Sequence, residues 1–255
     1  MRTSHKLATL VLGSAAVLPL LGAGTAFAAD GNVSANLKPN ALSGVNGSGT
    51  ASVVVTGTTI QVTMAASGLL AGSPHAAHIH FGADARHECP TAADDANKDG
   101  HLNTTEGASS YGPIVVSLTK TGDTSPASGL AIDRFDTASG GKISYERGSI
   151  KVSQTVADAI SAGKAVVVIH GVDYNKDGKY SGATMSDLAP KLPTEATDPA
   201  LCGALRGMPT GGVAAGAGGA ASGTSNEGLL ALGGGLMLIA AGSGVYSVRR
   251  ARNDG

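Results

Sequence analysis

The chain predicts an all-β domain, an antiparallel Greek-key-like β-sandwich or barrel with one short helix, set between two apolar termini. Three observations carry this. Apolar and polar residues alternate over short runs, the period of strands with one face buried. Gly-rich connections separate the runs. The aromatic content is 3% with no Trp, so the core is aliphatic and β-branched. About seven or eight short strands of this kind are the signature of a sandwich or barrel.

Taken in order, residues 1–28 read as a signal peptide: Arg2 and Lys6, an apolar run over 7–21, then Ala26-Phe27-Ala28 as a small-x-small cleavage site. Residues 29–206 form the exported domain. Strands are expected at 33–37, 52–55, 60–64, 76–81, 114–118, 130–135, 149–152 and 165–170, with Thr56-Gly57 turning a hairpin between the second and third. Val156, Ala159 and Ile160 at helical spacing, closed by Gly163, predict the one helix. Residues 207–227 are Gly- and Ala-rich, too poor in large apolar groups to fold, and read as a tether. Residues 228–248 carry no charge and are long enough for a transmembrane helix, although rich in glycine. Arg249, Arg250 and Arg252 in 249–255 then form a basic cytoplasmic tail. The expected location is the cell membrane, single-pass, with the N-terminal domain outside. Sortase anchoring is the weaker alternative, because Met208-Pro209-Thr210-Gly211 lacks the leading Leu of that signal.

The formal net charge is −1, and no basic run in the domain can neutralise a row of phosphates, which excludes a nucleic-acid partner. Between Ala29 and Asn226 there are 17 acidic against 13 basic side chains, a balance that suits cations.

Histidines cluster at His75, His78, His80, His87 and His101. In a strand, His78 and His80 share a face about 7 Å apart, as two ligands of one metal would. His170, ending the run Ala165-Val166-Val167-Val168-Ile169, is the candidate third ligand, and His87 or His101 a fourth. Neutral imidazole suits copper or zinc; the alternative is a set of hydrogen-bonded histidines that meets no metal. Cys89 and Cys202, the only cysteines of an exported chain, predict a disulfide, free thiol ligands being the alternative.

Residues 95–106 match the twelve-residue calcium loop. Asp95, Asn97 and Asp99 supply oxygens at positions 1, 3 and 5, Gly100 makes the turn, His101 stands at position 7, Asn103 at 9 and Glu106 at 12. Neither flank predicts a helix, so the loop is expected alone on a β scaffold. A partial copy, Asp173, Asn175, Asp177 and Gly178, has Thr184 at position 12, where Asp187 is the candidate replacement carboxylate. An ordinary Asx-rich turn is the alternative for both.

The chain resembles two families. The order His78-x-His80-Phe81-Gly82, Cys89, Val167-Val168-Ile169-His170 and Leu201-Cys202-Gly203 resembles copper/zinc superoxide dismutase. A second set resembles the CHRD domain: Leu42-Ser43-Gly44, Gly47-Ser48-Gly49-Thr50-Ala51, Ser67-Gly68-Leu69, His78-Ile79-His80-x-Gly82 and Gly112-Pro113-Ile114-Val115-Val116-x-Leu118. The resemblance spans roughly 32–207. It implies a Greek-key β domain, copper on His78, His80 and His170, and a Cys89–Cys202 bridge. The departures bear on activity. Asp95 stands where the dismutases carry the histidine bridging copper to zinc, the zinc ligands are absent, and Pro199 replaces the arginine that attracts superoxide. The expectation is a membrane-anchored, extracytoplasmic CHRD-like module that binds calcium and copper but no zinc, with a surface binding or structural role. The rivals are a copper-only dismutase and a copper-sequestering surface protein.

Overall fold

The computed structural model describes residues 30–208. The expected signal peptide, the transmembrane helix, the basic tail and all but the start of the tether lie outside the described residues. Among the described residues no helix is long and apolar enough to cross a membrane.

Eleven strands and two short helices follow one another as β1 (Gly31–Pro39), β2 (Ser48–Thr56), β3 (Thr59–Ser67), β4 (Pro74–His75), β5 (Ala77–His80), α1 (Thr104–Tyr111), β6 (Ile114–Ser117), β7 (Asp136–Thr137), β8 (Lys142–Lys151), α2 (Gln154–Ser161), β9 (Val166–His170), β10 (Pro199–Ala204) and β11 (Arg206–Gly207). Nine of the strands make one antiparallel sheet in the order β6-β5-β9-β10-β1-β2-β3-β8, with β11 also on β1, curled into a half-barrel; β4 and β7 pair separately.

The alternation that predicted strands is what curls the sheet around its core. Val33, Ala35 and Leu37 of β1 face inward with Ala51, Val53 and Val55 of β2 and Ile60, Val62 and Met64 of β3, all nearly inaccessible to solvent. Polar neighbours between them face water. β2 and β3 close through Gly57 at φ 56°, with Thr56 opposite Thr59.

β5 and β9 differ: every residue is buried. One face, Ala77, Ile79, Val167 and Ile169, belongs to the aliphatic core. The other, His78, His80, Val166, Val168 and His170, is covered by a second layer built from the long connections after β5, β6 and β9. Register puts His78 opposite Val168 and His80 opposite Val166.

The expected strands at 33–37, 52–55, 60–64, 76–81, 114–118 and 165–170 coincide with β1, β2, β3, β5, β6 and β9, and the expected helix with α2, N-capped by Ser153. Four expectations need correction. Residues 130–135 are not a strand but contain a 3-10 turn, Ile132–Arg134, because local bonds such as Ala131 N–H to Ser128 O and Arg134 N–H to Ala131 O take the donors a ladder would need. The strand expected at 149–152 begins seven residues earlier, at Lys142. β10, which carries Cys202, was not expected at all. A second helix, α1, closes the first Asp-rich loop: Asn103 accepts from the Glu106 N–H while Glu106 Oε2 accepts from the Asn103 N–H, a capping box that starts a helix in a segment of poor formers.

Cys89, in the connection between β5 and α1, is bonded to Cys202, 113 residues away on β10. The second layer is thereby fastened to the sheet. Closing so long a loop removes on the order of 4–5 kcal/mol of unfolded-chain entropy. Cys89→Ser should therefore lower the midpoint of thermal unfolding by about 10 °C, to the same value as Cys202→Ser and as the reduced protein; unequal losses would mean that one cysteine acts outside the bridge.

Candidate metal centre

The strand period places His78 and His80 on one face of β5, and antiparallel pairing brings the end of β9, with His170, beside them. Ring centroids are 5.0 Å apart for His78 and His170, 5.6 Å for His78 and His80, and 6.0 Å for His80 and His170. All three side chains are at most 3% exposed.

Each ring donates one N–H to a backbone carbonyl of the second layer. His78 Nε2 donates to Gly129 O at 3.0 Å, His80 Nδ1 to Gly112 O at 2.8 Å and His170 Nδ1 to Thr197 O at 2.6 Å. A carbonyl can only accept, so these bonds set the tautomer. The remaining nitrogens, His78 Nδ1, His80 Nε2 and His170 Nε2, carry lone pairs. All three are buried without a hydrogen-bond partner. Six buried side-chain atoms among the described residues lack a partner, and half of them converge here. An unmet buried acceptor costs about 1–3 kcal/mol, so three at one point mark a place built for something else.

One ligand nitrogen from each histidine lies within 4.8 Å of the others. Nitrogens bound at about 2.0–2.1 Å to one ion stand about 3.3–3.5 Å apart in tetrahedral or trigonal geometry. Closing the cluster requires at most about 1.5 Å of movement. The cluster can hold a metal ion, and each ring already has the carbonyl partner that orients metal-bound histidine.

The carbonyls are themselves held. Gly112 ends α1 at φ 84°, where a Cβ would collide with Gly82, so only glycine brings this carbonyl to His80. Tyr111 packs its ring 4.5 Å from His80 and donates its hydroxyl to Thr104 O. Thr197 O accepts a second bond, from Thr104 Oγ1. His75 packs behind the site, one ring nitrogen 2.8 Å from His170 O.

Two histidines expected as further ligands stand elsewhere. His87 stacks on Phe81 with Nε2 on Gly82 O, and His101 lies against Tyr174, ring centroids 3.9 Å apart. Cys89 and Cys202 are consumed in the disulfide. Among the described residues no carboxylate or thiolate joins the three imidazoles.

The two Asp-rich loops are built alike. In the first, Asp95 Oδ2 accepts from the Gly100 N–H, Asn97 Oδ1 from the Asp99 N–H, and Glu106 Oε1 from the N–H groups of Ala96 and Asn97. In the second, Asp173 Oδ2 accepts from the Gly178 N–H and Asn175 Oδ1 from the Asp177 N–H. Lys98 and Lys176, at position 4 of each, share φ 59°. The expected substitute Asp187 does not complete the second loop, since its Oδ2 accepts from the Thr105 N–H at the start of α1. Glu195, 3% exposed, takes that part: Oε1 accepts from the N–H groups of Tyr174 and Asn175, the positions that Ala96 and Asn97 hold in the first loop. No spacing rule reaches Glu195, because it is 18 residues beyond Asp177 and lies in the 3-10 turn Thr194–Ala196.

Burial lowers all three pKa values, with His170 adding repulsion at His78 and His80, and His75 adding it at His170: His80 falls to about 3, His170 to about 4, and His78 well below its ordinary value. The rings are neutral and ready to ligate throughout the physiological range. The unfolded chain takes up protons near pH 6.5 while the folded domain does not. The three rings without metal therefore cost the fold nothing above about pH 6.5, and each costs about 1.4 kcal/mol per pH unit as the pH falls from there to its own folded value; Asp198, raised by burial to about 7, opposes part of this loss. Urea unfolding at pH 7 and 5 should show this loss, and changing all three histidines to Gln should remove most of it; an unchanged pH slope in that variant would contradict the assignment. The chain matches no protein-family model and no curated protein.

Proposed function

We propose that residues 29–206 form a metal-binding domain of the CHRD or superoxide-dismutase-like type, displayed outside the cell on a membrane tether and holding copper on His78, His80 and His170. The observation that carries this reading is the convergence of three unpaired nitrogens on rings whose tautomers are set by Gly129, Gly112 and Thr197. The donor set is three neutral imidazoles with no thiolate or carboxylate, and such nitrogen donors bind Cu(II) more tightly than other divalent first-row ions. Asp95 lies in the first Asp-rich loop, which leaves no histidine at that place to bridge to a zinc ion. Bound copper would supply one-electron exchange, or be stored unreacted; the chain's own residues orient the rings and keep them unprotonated.

A copper-only dismutase is the second reading. It is favoured by the cavity that reaches His78 and His170, and weakened because no charged side chain lines that cavity to draw in an anion. Metal analysis and electron paramagnetic resonance of the full chain should find one copper, lost at least 100-fold more readily in His80→Gln or His170→Gln and unchanged in His87→Gln. Absence of copper at any loading contradicts both readings; rapid superoxide removal by the loaded protein selects the enzyme.

Calcium in the two Asp-rich loops completes the proposal, as a structural ion for the second layer. What supports it is the same pattern of bonds and backbone angles in both loops, with Glu195 in the place of Glu106. Calcium titration should find two ions. Glu106→Gln should weaken the first by tenfold or more, and Glu195→Gln the second, whereas Asp187→Asn should leave the second unaltered. Retention of both ions in Glu195→Gln would contradict the assignment of that carboxylate.

A further inference from the structure

The metal centre has an approach, and its chemistry is not that of an anion channel. A cavity of about 310 Å³ lies over His78 and His170. Pro126, Ala127, Gly129 and Leu130 line it from the connection after β6, and Leu188 and Thr197 from the connection after β9. None of its lining residues is Asp, Glu, Lys or Arg, and its two histidines, His78 and His170, are neutral. Its polar groups are already engaged: Gly129 O by His78, Thr197 O by His170 and Thr104, and the Thr197 hydroxyl by Ser186 Oγ at 2.7 Å. Among the described residues, the buried polar side-chain atoms of this wall that have no partner are His78 Nδ1 and His170 Nε2, the metal-facing nitrogens.

With no metal bound, an anion entering here would leave water without meeting a charged side chain in exchange. An apolar molecule gains from the same surroundings. The rim is consistent with this. Leu130 and Leu188 are 48% and 49% exposed, two of the six large apolar side chains left in water among the described residues, and both line the cavity. An apolar cavity of about 150 Å³ accommodates a benzene ring, so one of twice that size accommodates about two fused rings.

We infer that this cavity binds an uncharged, apolar small molecule about the size of a bicyclic aromatic, beside the metal held by His78 and His170. The inference deepens the copper reading and rests on it for the metal, while the pocket itself is formed by the protein alone.

The chain contains no Trp, so indole is a probe whose fluorescence stands clear of the protein's own. Titrating the metal-free full chain into indole should shift its emission to shorter wavelength. Copper loading should then quench the bound fraction. Ala127→Phe, which fills the cavity, and Leu188→Glu, which puts a charge on an exposed rim position, should each weaken indole binding at least tenfold. Azide, the anionic probe, should not displace indole from the metal-free chain. Absence of the blue shift overturns the pocket, even if one copper per chain is found. A blue shift that both variants retain places indole elsewhere and also overturns it. A blue shift without copper uptake upholds the pocket and rejects the copper reading. Displacement of indole by azide from the metal-free chain overturns the uncharged class of ligand.

Discussion

Three hydrogen bonds from imidazole N–H groups to backbone carbonyls hold the two layers of this domain in register and create its site. The sheet supplies the rings, because β5 and β9 have one face turned away from the aliphatic core. The second layer supplies the carbonyls of Gly112, Gly129 and Thr197, one from each of the three long connections. Buried imidazole is polar on both edges, and a bond at one edge leaves the other to be satisfied. The fold satisfies the outer edges and gathers the inner ones.

The connections earn their length by how they are fixed. The disulfide fastens the first of them to β10, and the Asn103–Glu106 capping box starts the helix that ends at Gly112. The second is pinned by Asp123, whose carboxylate accepts from Ser125 and Ser128 beside Gly129, and by Arg134 on Ser128. In the third, the Glu195 carboxylate gathers the backbone of the loop that begins at Asp173, two residues before the carbonyl that orients His170. The two Asp-rich loops meet through His101 and Tyr174, and the Tyr174 hydroxyl donates to Asp198. Calcium in either loop would thus act on the carbonyls that set the metal-facing rings. Burial raises the pKa of Asp198 to about 7, so this junction carries a proton near neutrality rather than a full charge.

What could be read from the chain depends on whether the deciding contact is local. Period two predicted β1, β2 and β3 and put His78 and His80 on a common face, because a strand's alternation is written in adjacent residues, whereas β9 was legible as a short unbroken apolar run. His170 was recoverable as the end of an apolar run. α1 was not legible because its segment is rich in poor helix formers and its start depends on a reciprocal cap between Asn103 and Glu106. β10 was not legible because Pro199 through Gly203 is buried without alternation and, unlike β9, carries no run of β-branched residues. The orienting carbonyls left no trace in residue type except at Gly112, and Glu195 left none, since its role is set by tertiary proximity to Tyr174 and Asn175.

The central claim is that the three inner nitrogens form one preformed site for copper. Electron paramagnetic resonance of the Cu(II)-loaded chain, with histidine carrying nitrogen-15, tests it most directly. Splitting from three histidine nitrogens, reduced to two in His80→Gln, is the predicted result. Fewer than three nitrogens in the unaltered chain, or a spectrum that His80→Gln leaves unchanged, would contradict it.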